Sequence, residues 1–300
     1  MAAERYLGVG LETNYGSAAS ISDYIKIIEE DINEINDYYE HETVAYRALD
    51  AAYVTKRHVE GGFSFLPRRN NCHKILYAAL GSYTEGSTEY TYQDGTSLPS
   101  LTIAVGRPTS GEAKYTGCKI NKLEINAEAG NPLVFSVDVL GKEEYATGGS
   151  LATPTYTTDQ VYLLTNGSVE VGGVSKNVKA ISITLDNAVD VDNDIVVGSL
   201  SPVTLKAQGL KIEGDFTLTD PDSTIYSKYR SGDSASLKLT CYGKTANGTA
   251  KKLIIEIPKA YFVKGSEGPL SKRERNEAEY SFRAAYSTND GYTIKITREL

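Results

Sequence analysis

The residues of this chain best suited to chemistry are three histidines, three cysteines and a dense set of carboxylates. His41, His58 and His73 stand in no metal-binding spacing. Cys72 and His73 are neighbours, but adjacent residues on a helix point in different directions, so they would not share a metal. Cys72 fits an apolar helix face better, as a buried thiol. Asp190-Val191-Asp192-Asn193-Asp194 has the opening of a calcium loop. Such a loop needs Gly at its sixth position and Glu at its twelfth, where this chain has Ile195 and Ser201. A solvated turn is the default. Gly8-Val9-Gly10 lacks the third glycine and the preceding strand of a dinucleotide site, and no G-x-S-x-G or P-loop occurs. Lys272-Arg273-Glu274-Arg275 reads as a solvated hairpin or a rim contact. No catalytic residue, metal ligand or cofactor is assigned, and an enzyme is not expected.

Charge narrows the partners. The 31 basic and 39 acidic side chains give a net −8. Residues 1–150 carry 13 and 21 of them, whereas residues 151–300 carry 18 and 18. The excess gathers in Asp23, Glu29, Glu30, Asp31, Glu34, Asp37, Glu40 and Glu42, which face one Lys26. A high-affinity nucleic-acid binder needs a basic footprint instead. The odd cysteine count, Cys72, Cys118 and Cys241, suggests reduced thiols in a chain made inside a cell. No apolar run approaches the roughly 20 residues that span a membrane. Met1 to Tyr6 lacks the apolar core of a secretion signal. Asn166-Gly167-Ser168 and Asn247-Gly248-Thr249 therefore read as Asn-Gly turns, not glycosylation sites. Tyr is abundant at 22 residues and Trp is absent. Tyrosine suits interfaces and half-buried sheets, and it is also simply a strand former.

The elements that must carry these residues are mostly strands, runs of Val, Ile, Thr and Tyr broken by Gly, Asn and Asp. They recur. Glu60-Gly61-Gly62-Phe63 returns half a chain later as Glu213-Gly214-Asp215-Phe216. Each copy ends a long strand, about 51–65 and about 203–218. Each long strand follows a shorter strand (24–28, then 179–185) and an acidic loop (29–43, then 186–201). After each copy comes a short helix. Asn70 or Asn71 caps the first, with Cys72, Ile75, Leu76, Ala79 and Leu80 on one face and Gly81 as its stop. Asp220-Pro221-Asp222 opens the second, with Ile225, Tyr226 and Tyr229 on its apolar side and Gly232 at its end. Strands then resume: 101–107 and 237–244, 119–127 and 253–262. Leu133, Phe135, Val137 and Val139 alternate with Val134, Ser136 and Asp138, the period of a sheet with two different faces, and Tyr280, Phe282, Ala284 and Tyr286 repeat that period. The expected plan is mainly β. An N-terminal arm (1–22) precedes a first unit (23–145), a linker (146–178) and a second unit (179–300), a diverged copy of the first. Each unit reads as a β-sandwich or barrel with one short flanking helix.

In order, several pieces carry a family resemblance: Glu12-Thr13-Asn14-Tyr15-Gly16, the strand Tyr24 to Ile28, and Glu60-Gly61 leading to Leu80-Gly81. Leu98-Pro99-Ser100-Leu101, Tyr115-Thr116-Gly117-Cys118-Lys119-Ile120 and Val134-Phe135-Ser136-Val137-Asp138-Val139-Leu140-Gly141 follow. Over residues 5–145 the chain resembles the tail tube proteins, or major tail proteins, of long-tailed phages. The resemblance implies a structural virion protein. Its β-sandwich sheets join neighbours into rings, and the rings stack into a hollow tube that passes DNA without specific binding. Two fused units imply three chains per ring with pseudo-six-fold symmetry; six chains per ring is the alternative. Assembly in the host cytoplasm, no membrane partner, and contact with tape-measure and tail-terminator proteins are implied as well. Glu29, Glu30, Asp31, Glu34, Asp37, Tyr38, Tyr39, Asp190, Asp192 and Asp194 are the candidate contacts between rings or subunits. Glu60, Gly61, Phe63, Glu213, Gly214 and Phe216 are the repeat positions. A different class, a surface module binding carbohydrate or protein, predicts a secretion signal and clustered exposed aromatics.

Overall fold

The computed structural model describes residues 5–245, 247–267 and 276–300. Lys272-Arg273-Glu274-Arg275 lies outside the described residues. The first half holds β1 (Tyr6–Leu11), β2 (Asp23–Ile25), β3 (Ile27–Glu30), β4 (Asn33–His41) and β5 (Ala51–Phe65). Then come α1 (His73–Leu80), β6 (Gly81–Glu85), β7 (Glu89–Asp94), β8 (Leu101–Arg107), β9 (Gly111–Glu128), β10 (Val134–Gly141) and β11 (Glu143–Gly149). The second half holds β12 (Leu163–Val171), β13 (Val174–Lys176), β14 (Val178–Asp186), β15 (Lys211–Leu218) and α2 (Ser223–Ser231). It ends with β16 (Ala235–Lys244), β17 (Ala250–Glu267), β18 (Ala278–Ala284) and β19 (Lys295–Glu299).

All pairings are antiparallel. A flanking sheet runs β2-β1-β8-β9-β11. Strand β9 is long enough, at 18 residues, to leave this sheet and enter a second one with its C-terminal part. That second, long sheet has β3 and β4 end to end along β5, then β10, β9, β14, β15, β18 and β17. Strand β17 is likewise 18 residues and crosses into another flanking sheet, ordered β13-β12-β16-β17-β19-β7-β6. The pairings of β12 to β19 among themselves thus follow, partner for partner, those of β1, β2, β3, β5, β8, β9, β10 and β11. Even a bulge recurs: Leu101 and Ile103 oppose Cys118 and Tyr115, as Ala235 and Leu237 oppose Ala260 and Ile257.

One buried cluster spans both halves, from Val9, Phe63 and Phe135 to Ile183, Phe216 and Phe282. The repeated motif has one physical cause in both copies. Gly61 has φ +140°, and a Cβ there would lie 2.6 Å from the Asp31 carbonyl oxygen. At Gly214 a Cβ would meet the Ser182 carbonyl oxygen at 2.1 Å. The glycine lets the neighbouring strand approach, and the phenylalanine two residues on fills the core.

Five local expectations change. Tyr6 to Gly10 form a buried strand within the segment read as an arm. Gly8 and Gly10 serve close approach, since a Cβ at either would strike Ile21 or Ser20. The acidic stretch 29–43 is strand in β3 and β4, not loop, because β5 supplies a partner that local sequence cannot reveal. Residues 203–210 lie outside the strands, and β15 begins at Lys211. Cys72, not an asparagine, sits at the N-cap of α1, and Asn71 instead accepts from the Arg68 N–H at 2.6 Å. Within the segment read as a linker, β12 pairs with both β13 and β16. The second helix is as expected: Asp222 accepts from Thr224 and Ile225, and Gly232 ends it at φ 74°.

Two stability predictions follow from these ties. The buried Asn187 amide donates to the Ala79 and Ile120 carbonyls at 3.0 Å each, fastening the second half to α1 and β9. Asn187→Ala should lower unfolding free energy by about 2–3 kcal/mol, because buried carbonyls lose donors; urea denaturation reads the shift. Asp222→Ala should cost about 1 kcal/mol by removing the cap. Burial raises the Asp222 carboxyl, but Lys176 and the helix N–H groups outweigh it and hold the pKa below the ordinary value. A depressed carboxylate stabilises above its unfolded pKa, so the deficit of Asp222→Ala should shrink as pH falls through about 4 and below.

Candidate functional site

Among the described residues, no group of three His, Cys, Asp or Glu side chains is placed to hold a metal ion. Cys72, Cys118 and Cys241 are buried. Burial pushes the Cys72 thiol up to about 11 and Cys241 to about 12, and it raises Cys118 as well. None is poised as a nucleophile at neutral pH. His73 sits in a tyrosine cluster, 2.8 Å from the Tyr92 hydroxyl, and burial lowers its pKa.

What the fold does present is surface. In β5, β10 pairs only as far as Val59, so residues 51–58 continue with β4 as a two-stranded arm. Such a hairpin is marginal by itself. The second half holds its base: the Arg57 N–H donates to the Leu200 carbonyl at 2.7 Å, and Lys56 bridges Asp37 and Asp192. Along the arm, Tyr38, Tyr39 and Tyr53 are each nearly 60% exposed (59, 58 and 59%), and Tyr39 stands opposite Tyr53. Val44 and Tyr46 at the turn, with Val196, Val197 and Leu200 on the clasping loop, are exposed too. Exposed apolar side chains gathered on one projection mark a contact surface.

The acidic residues chosen from sequence divide. Glu30 is held by Arg107 at 3.0 and 3.1 Å, and Glu34 accepts from the Glu144 N–H and pairs with Arg57 at 3.3 Å. Asp31 accepts from the Gly62 N–H at 2.6 Å, and Glu29 from the Ser64 hydroxyl at 3.2 Å. Asp190 and Asp194 bind backbone within their own loop. Asp37 and Asp192, far apart in sequence, meet on Lys56, and hydrogen bonding to Lys56 depresses the Asp192 carboxyl. Sequence alone missed Tyr53 and the clasping valines, although a strand with tyrosines on both sides of a turn was the available signal.

The second surface is one face of the long sheet. Its core side is apolar and carries the helices. On the other side stand Glu124, Glu128, Asp138, Asp186, Glu213, Asp215 and Glu279 against Lys122, Lys211, Lys264 and Arg283, and none of these is buried. The strict alternation in β9, β10, β14, β15 and β18 puts them there. Desolvation raises the Asp138 carboxyl; Lys122 opposes this, and Asp31, Glu124 and Asp186 add to it. The face is therefore acid-rich and crowded with like charge. The sheet also ends at two edges without strand partners among the described residues: the outer side of β3 and β4, and the C-terminal part of β17.

No curated protein matches the chain. One family profile, described as phage tail tube protein, matches residues 2–284, nearly the whole length. A mainly antiparallel β chain with a polar sheet face, open edges and a projecting hairpin agrees with that match: the chain belongs to the phage tail tube protein family and is a structural component of the viral tail.

Proposed function

We propose that three copies of this chain close a ring with pseudo-six-fold symmetry, and that rings stack into the tube through which the viral DNA leaves. The observation that carries this reading is the partner-for-partner recurrence of pairings in the two halves, with the halves already joined edge to edge by β9 and β14. A ring then repeats six similar units, and the two open edges of the long sheet are covered. Three copies of the eight-strand long sheet, at about 4.8 Å per strand, close a barrel about 37 Å across between backbones before tilt widens it. Side chains subtracted, that bore accepts a DNA duplex.

The helix-free, acid-rich face is the lumen side in this reading. Phosphates meet like charge and few fixed cations, so DNA slides without being gripped. The hairpin of β4 and β5, with Tyr38, Tyr39, Tyr53 and the acids Asp37 and Asp192 at its base, contacts the adjacent ring. Glu29, Asp31, Asp190 and Asp194 lie near that seam, while Glu30 and Glu34 support it from within. Tape-measure and tail-terminator proteins meet the tube in the lumen and at its end. The particle is assembled in the host cytoplasm and rests in the virion tail.

Negative-stain microscopy of the purified chain tests the ring: end views should show three-fold symmetry with six similar lobes, and six-fold rings of twice the mass would reject the three-chain count. Tyr39→Lys with Tyr53→Lys should leave the melting temperature of the monomer nearly unchanged yet stop growth at single rings or very short tubes. Replacing Glu124, Asp215 and Glu279 by Lys should permit tubes but slow DNA release from virions, with the delay relieved by added salt; release at the normal rate would remove this face from the lumen.

A further inference from the structure

One of the ties between the two halves passes through a single hydroxyl. His73 on α1 has its Nδ1 2.8 Å from the Tyr92 hydroxyl on β7, and the Arg298 Nε on β19 donates to the same oxygen at 3.3 Å. Strand β7 belongs to a first-half hairpin that pairs with β19 of the second half. A helix, an inserted hairpin and the C-terminal strand therefore meet on one oxygen. Because Arg298 donates to that oxygen, the hydroxyl hydrogen is left to donate to His73 Nδ1, which accepts only while the ring is neutral.

The surroundings offer nothing to a second positive charge. Arg298 is only 3% exposed, donates also to the Arg69 carbonyl, and lies with its guanidinium 4.6 Å over the Tyr90 ring. No carboxylate pairs with it among the described residues. Tyrosine rings crowd His73, with Tyr90 at 4.9 Å, Tyr83 at 5.1 Å and Tyr92 at 5.7 Å between centroids, and Tyr77 backs Tyr83 at 4.8 Å. Two carboxylates face this site, and each is engaged. Asp23 of β2 pairs with Lys74 of α1 at 3.1 Å, and Glu85 of β6 accepts from the Tyr90 hydroxyl at 2.8 Å. Burial, then Arg298 and Lys74, lower the His73 pKa from its ordinary value; Asp23 and Glu85 oppose them and are outweighed. A protonated His73 would aim a second cationic donor at an oxygen that already serves one.

We propose that His73, Tyr92 and Arg298 form a proton-sensitive latch, which ties α1 and β7 to β19 while His73 is neutral and releases them when its Nδ1 takes up a proton from solvent. The Tyr92 hydroxyl then loses its acceptor, and two cations compete for its oxygen. Opening the cluster brings the imidazolium to water, so acid favours the open form. A histidine whose folded pKa lies below its unfolded value contributes stability that is present above about 6.5 and lost as pH falls below it. The β9–β14 ladder contains no member of this cluster, so acid loosens one tie and leaves the other closed. The latch belongs to the single chain and does not depend on how many copies make a ring.

Native-state amide exchange of the full chain, read by mass spectrometry from pH 7.5 to 5.5 and corrected for the intrinsic pH dependence, tests the latch. Protection of β7 and β19 should fall by about five- to tenfold over that range, while residues 122–128 of β9 keep theirs. His73→Gln keeps an acceptor for the Tyr92 hydroxyl and cannot titrate, so the fall should vanish. His41→Gln and His58→Gln should retain it. Protection independent of pH in the wild type, a fall retained in His73→Gln, or equal losses in β9 would overturn the latch. Should His73→Gln not fold, NMR titration of the wild-type imidazoles decides instead. A His73 midpoint below about 6.5 supports the latch, and one at or above it removes the proposal.

Discussion

The backbone ladder between β9 and β14 is the interaction on which the rest of this structure depends. It turns two half-chains into one continuous sheet, with Leu123, Ile125 and Ala127 meeting Leu185, Ile183 and Ile181 on the core side. Lys122 and Asp186 oppose each other on the polar side, 3.9 Å apart. Without that ladder each half would end in an exposed edge of its own, a template for unwanted strand pairing. With it, the long sheet keeps two open edges among the described residues, one at each end.

Other ties keep the seam rigid. Strand β19 pairs with β7, so an insertion of the first half completes a sheet of the second. The buried Arg298 reaches across the same boundary, its Nε 3.3 Å from the Tyr92 hydroxyl and its guanidinium 4.6 Å over the Tyr90 ring. Asp94 accepts from the Thr293 and Ile294 N–H groups. With this cross-bracing the two halves are not joined by the β9–β14 ladder alone, which leaves no simple hinge between them.

The carboxylates illustrate how one residue type serves three ends. Glu30 neutralises Arg107 inside the sandwich corner, and that pairing raises the guanidinium's already high pKa. Asp37 and Asp192 share Lys56 to lock a hairpin that has little else to hold it. The carboxylates of the long sheet's polar face outnumber its cations, although Asp186 meets Lys122 and Glu213 meets Lys211. Their sum gives the chain its acidic character, yet only the last group gives a surface its sign.

By itself the sequence determined the class of fold, the recurrence of a Glu-Gly-x-Phe unit, both helices and the end of each, and the family. These are local matters: alternation sets strand faces, Gly81 and Gly232 stop helices by accepting left-handed backbone, and Asp222 caps because its side chain reaches its own helix. Tertiary structure decided what depends on distant partners. The stretch from Glu29 to Thr43 looked like an acidic loop and is strand because β5 lies beside it. Gly8 and Gly10 looked like breaks and are close-approach positions because residues 19–22 cross over them. Which acids are enclosed, which share Lys56 and which line an open face follows from strand register. Moving a strand by one residue would exchange every one of those assignments without altering the composition at all.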